Sequence, residues 1–83
     1  MFRDPDTVSS RHDFVEYVAS LLSDFKQNGQ QWENQTLENF LEAVSGYAED
    51  VPGYLANTHS RVDPEKPSWQ LFAIILAGAH CYE

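Results

Sequence analysis

The segment from Ser68 to Tyr82 constrains this chain most. Between Trp69 and Ala79 the only strongly polar residue is Gln70, so apolar side chains run round most of a helix's circumference. At about 100° per residue, Trp69, Phe72, Ala73, Leu76, Ala79 and His80 fall on one side. Leu71, Ile74, Gly78 and Tyr82 fall on another. Such a helix is either the central element of a bundle or also faces a partner chain. The nearly unbroken apolar run from Leu71 to Ala79 is too short to span a membrane, which needs about 20 such residues. The expected helix covers 69–81, capped by Ser68 directly after Pro67.

Two further segments have helical spacing. Ser10 reads as an N-cap with Asp13 at the N3 position, and Phe14, Val15, Val18, Leu21, Leu22 and Phe25 then form one arc, opposite Glu16, Ser20, Ser23 and Gln27. Asn28-Gly29 reads as a stop, since both tolerate the left-handed conformation, so this helix is expected over 11–28. Thr36 is the next N-cap, with Asn34 as the alternative. Leu37, Phe40, Leu41, Val44, Tyr47 and Ala48 form the second stripe, and Trp32 is the expected plug between the two helices. Pro52 cannot donate to a helix ladder, so the second helix is expected over 37–50, with a possible short helical turn at 53–57. Thr58 to Pro67 is a polar loop. No segment alternates with period two, so no strands are expected.

The fold class is therefore all-α, a small three-helix bundle packed around Trp69 and Phe72. Residues 1–9 are expected as a flexible N-terminal tail and 10–83 as a single helical domain. With 83 residues the chain is one small domain, and it buries only about 60–65% of its unfolded surface.

Thirteen carboxylates face five Lys/Arg, a formal net charge of −8. That argues against nucleic acid and anionic membrane as partners, because both need positive charge. The excess is local. Residues 27–60 carry Glu33, Glu38, Glu42, Glu49 and Asp50 with no Lys or Arg. On the second helix Glu38, Glu42 and Glu49 project within about 40° of one another, and roughly 140° from the centre of the apolar arc. Like charges at i, i+4 cost a few tenths of a kcal/mol, so the row does not favour folding. It is either a solvated face or a docking surface for a basic protein, with Asp50 at its end.

Other chemistry finds little support. Three Glu on one straight helix do not converge as a cation cage requires, and nothing in the sequence marks one of them as buried for acid–base work. His80 and Cys81 are adjacent and point about 100° apart, which does not suit a shared metal ion. His80 reads as a partly buried, hydrogen-bonded histidine and Cys81 as an apolar filler or free thiol. Among His12, His59, His80 and Cys81 there is no CxxC, HxxxH or HExxH spacing. No enzyme activity, metal or cofactor is expected. The polar N-terminus and the single cysteine suit a cytoplasmic protein. Gly46 and Gly78 fall inside helices, where each costs about 1 kcal/mol relative to Ala, and they read either as neutral drift or as sites of close helix–helix approach.

The stretch Trp32-Glu33-Asn34-Gln35-Thr36-Leu37-Glu38-Asn39-Phe40-Leu41-Glu42-Ala43 and the closing Ser68-Trp69-Gln70-Leu71-Phe72-Ala73, Leu76, Ala79 and Tyr82-Glu83 stand out. With the helix start Asp13-Phe14-Val15, they resemble a family of small, uncharacterised, acidic bacterial proteins with the pattern WEN-x-TLE…LEA…ED…PSW…FA…YE. The resemblance covers most of the chain from about residue 11. It implies no activity and carries over no site residues. Similar small acidic proteins are often encoded among immunity genes for bacterial toxins. Two functions follow as expectations. One is an immunity or inhibitor protein that masks a basic toxin with Glu38, Glu42, Glu49 and Asp50. The other is a structural or assembly module, a homodimer formed through Leu71, Ile74 and Tyr82 of the third helix.

Overall fold

The computed structural model describes residues 4–82. Three serine or threonine hydroxyls set the helix starts. The Ser10 hydroxyl accepts from the Asp13 amide at 3.1 Å and opens α1, Arg11–Asn28. The Thr36 hydroxyl accepts from Asn39 at 3.1 Å and opens α2, Leu37–Asn57. The Ser68 hydroxyl accepts from Leu71 at 3.0 Å and opens α3, Trp69–Ala79. Each such cap stabilises its helix by about 1 kcal/mol. The Asp13 carboxylate reaches back to the amide of Ser9 rather than of Ser10, at 3.1 Å, so the capping box is displaced by one residue.

Helix α2 runs through Pro52 instead of stopping near Asp50, and the separate turn expected at 53–57 is its last part. A proline inside a helix costs about 3 kcal/mol, through the lost amide and the clash with the carbonyl one turn earlier. The continuation is favoured by Val51 and Leu55, one turn apart and both buried against Leu71 and Ile74 of α3. Burying two such side chains is worth about 1.5–3 kcal/mol each, which offsets the proline.

The end of α2 is a Schellman motif. The Ser60 amide donates to the Leu55 carbonyl at 2.9 Å and the His59 amide to the Ala56 carbonyl at 3.2 Å. The left-handed residue that this motif requires is His59, with φ 54°. Gly29, expected in that role after α1, instead has φ −58° and begins a short 3-10 turn, Gly29–Gln31.

Helix α3 is the central element. Ala73 belongs to one buried cluster with Val8, Tyr17, Leu21 and Trp32. Leu71 and Ile74 belong to a second cluster, with Val51 and Leu55. The core is thus not centred on Trp69 and Phe72. Both rings are partly exposed and pack with Phe14 at a rim, at centroid distances of 5.4 and 6.4 Å. Helix α3 packs closely on α2 at Gly78, where an added Cβ would lie 2.2 Å from the Tyr47 ring. The room left by this glycine is taken by an aromatic ring of the neighbouring helix rather than by its backbone.

The segment 4–9 is not a free tail. Pro5–Thr7 forms a 3-10 turn beside α3, Gln70 donates to Asp6 at 3.3 Å, and Val8 is fully buried. The remainder of the expected tail, residues 1–3, lies outside the described residues. The domain measures 32 × 27 × 19 Å.

Candidate functional site

Helix α1 turns a different face to the core than its apolar arc suggests. Tyr17 and Leu21 are buried and Phe14 packs against them. Val15, Val18, Leu22 and Phe25 are left partly or largely exposed. The missed signal is Tyr17, a polar-tipped aromatic three residues after Phe14 and four before Leu21. Burial raises its hydroxyl pKa, and Asp4 adds to the shift. On α2 the buried side chains are Ala43, Val51 and Leu55, with Phe40 and Tyr47 half-buried beside them. Leu37 and Leu41 are therefore left over, 74% and 57% exposed.

These leftover side chains meet. Val18, Leu22 and Phe25 of α1 face Leu37 and Phe40 of α2 across an open groove of about 330 Å³, with Trp32 and Leu76 also lining it. Trp32 is held there by several contacts. Its indole N–H donates to Asp24 at 2.8 Å, its ring stacks on Phe40 at 6.2 Å, and Phe25 meets it edge-on at 5.1 Å. The plug expected at Trp32 is thus present. The indole hydrogen bond is the main cause that holds the Asp24 carboxyl below the usual carboxylate range, against some desolvation.

Glu38, Glu42 and Glu49 are all exposed. By helical arithmetic their row lies about 180° from the buried face of α2, and Leu37 and Leu41 lie between the two. Of these, Leu37 lines the groove, whereas Glu42 lines a separate recess with Asn39, Ala43, Gly46 and Tyr82. Glu38 is also in the first turn of α2, where a negative charge is favoured by the helix dipole.

Asp50 does not join that row. It accepts a hydrogen bond from the Tyr82 hydroxyl, whose pKa is raised first by that bond and then by desolvation. The Tyr82 ring lies over Gly46, where an added Cβ would be 2.7 Å from it, and meets Tyr47 edge-on at 5.6 Å. Of the homodimer face expected on α3, Leu71 and Ile74 are buried within one chain, and Tyr82 is folded onto α2 with its ring over Gly46.

The Trp32-Glu33-Asn34 motif joins the chain's middle to its end. Asn34 donates through its side chain to the carbonyls of Ala79 at 2.8 Å and Tyr82 at 2.6 Å, and the Glu33 amide donates to His80 at 3.1 Å. Asn34 therefore closes the C-terminus of α3 rather than capping α2, and α3 stops at Ala79 instead of running to 81. The His80 ring nitrogen Nδ1 bonds to the Ala77 carbonyl, and the ring sits edge-on to Trp32 at 5.1 Å. This is the partly buried, hydrogen-bonded role read from the sequence. Cys81 is an exposed free thiol.

Among the described residues, no group of three or more His, Cys, Asp or Glu is placed to hold a metal ion. No helix among them is long and apolar enough to cross a membrane. No curated protein and no solved structure matches the chain. The model of a family of unknown function (DUF7660) matches residues 10–83, and the chain belongs to that family.

Proposed function

We propose that the chain is a protein-binding module that engages a basic protein through Glu38, Glu42 and Glu49, acting as an immunity or inhibitor protein that masks a basic bacterial toxin in the cytoplasm. One observation carries the reading. The three carboxylates stand on one exposed row, opposite the buried face of α2, inside a stretch of 34 residues (27–60) that contains no Lys or Arg. Such a row contributes little to folding, and it complements a positive patch on a partner. Complementary charge raises the association rate and restricts the choice of partner more than it adds raw affinity. Asp50 is not part of the proposed contact, because Tyr82 already occupies it.

The test is affinity capture from the source cell with the wild-type chain and with the charge-reversed variant E38K/E42K/E49K. The reading expects a basic protein that binds the wild type, is lost from the variant, and dissociates as salt shortens the Debye length from about 30 Å to 8 Å. A partner retained equally by the variant would overturn it.

A further inference from the structure

We infer that the groove between α1 and the start of α2 receives an amphipathic, basic α-helix of the partner protein. The inference rests on the charge reading above and adds the shape and chemistry of what docks. The walls are two helical rows. Val18, Leu22 and Phe25 follow one another at four and three residues on α1, and Leu37 and Phe40 stand three residues apart on α2. Two ridges of this kind with an open channel between them suit the side-chain row of a third helix. The apolar side chains concerned are not isolated. Leu22 is 54% exposed, Phe25 37% and Leu37 74%, and they share one channel. A contiguous apolar patch rimmed by charge marks an interaction surface, whereas scattered exposed leucines do not.

Charge selects the occupant. Glu38 follows Leu37 about 100° further round α2, so the solvent side of the α2 wall carries a carboxylate, in a chain of net charge −8. Lys26, in the last turn of α1, follows Phe25 on the opposite wall. The basic flank of the docked helix therefore lies towards α2, which fixes its orientation about its own axis. A second copy of this chain is disfavoured as occupant, because it brings another net charge of −8 to an acidic surface.

The test uses the full chain, labelled for amide NMR, and three synthetic helices. The first has Leu at i, i+3, i+4 and i+7 with Lys elsewhere. The second replaces every Lys by Glu, and the third scrambles the first. The inference expects the first helix alone to bind, shifting the Trp32 indole resonance and the amides of Leu22, Phe25 and Leu37. Its affinity falls about tenfold in L22Q/L37Q, as for loss of interface anchors, and falls separately in E38Q/E42Q. These sites are exposed, so the unbound variants keep the wild-type spectrum. Shifts confined to Glu38, Glu42 and Glu49, with L22Q/L37Q binding normally, would overturn the groove and leave the acidic docking face standing. Equal binding of the Glu-substituted helix would overturn both. Equal binding of the scrambled helix, or groove shifts that grow with protein concentration alone and vanish in L22Q/L37Q, would overturn the groove assignment.

Discussion

His59 holds a backbone conformation that suits glycine better than any side chain. It terminates α2 with φ 54° while its side chain is exposed. The left-handed region costs a non-glycine residue about 1–2 kcal/mol. H59G is accordingly expected to raise stability by about 1 kcal/mol, part of the gain being lost to the freer unfolded chain, with chemical denaturation as the check. Asp24 gives a pH signature at the same scale. Its folded carboxyl is held low, chiefly by the Trp32 indole N–H. A group with a depressed folded pKa adds stability above its unfolded value of about 3.9, and that stability is lost as pH falls through the folded value. Acid unfolding followed by Trp fluorescence should therefore show a contribution below the usual carboxylate range that is absent in D24N. An unchanged acid limb in D24N would contradict the role given to that bond.

At the scale of elements, Asn34 ties the start of the α2 cap region to the end of α3. N34A leaves the carbonyls of Ala79 and Tyr82 without that donor, and is expected to cost about 1–3 kcal/mol in urea unfolding. The three helices and their caps were legible in the sequence, because Ser10, Thr36 and Ser68 act through bonds to residues three positions on, whereas the apolar circumference of α3 left open whether it is central or faces a partner chain. What was not legible depends on tertiary packing. Pro52 signals a stop locally, and only the burial of Val51 and Leu55 against α3 carries the helix past it. The α1 arc from Phe14 to Phe25 is too broad for one helix to bury, and which part faces inward is decided by where Tyr17 and Ala73 meet. Of the candidate site, the acidic row was legible because helix geometry alone places Glu38, Glu42 and Glu49 together. The groove beside it was not, because it exists only where the unburied edges of two helices converge. Asp50 and Tyr82 join across 32 positions, which no local pattern reveals.

For the whole molecule, the division is between side chains that hold the fold and side chains on the surface formed by the groove and the acidic row. The fold rests on two clusters bridged by α3, on the glycine contact between α3 and α2, and on the Asn34 closure. Leu22, Leu37 and Glu42 belong to the other set. Glutamine matches leucine and glutamate closely in helix propensity, so replacing these three residues tests their contribution to packing and charge with little disturbance of the backbone. Removing Glu42 also relieves its i, i+4 repulsion with Glu38, by a few tenths of a kcal/mol. The most direct measurement is therefore urea unfolding of L22Q/L37Q/E42Q beside the buried-site control L21Q. The triple variant is expected to stay within about 1 kcal/mol of wild type, as surface changes do, while L21Q loses about 3 kcal/mol or more. A triple variant that falls as far as L21Q would contradict the claim, because those side chains would then belong to the fold rather than to a surface available for a partner.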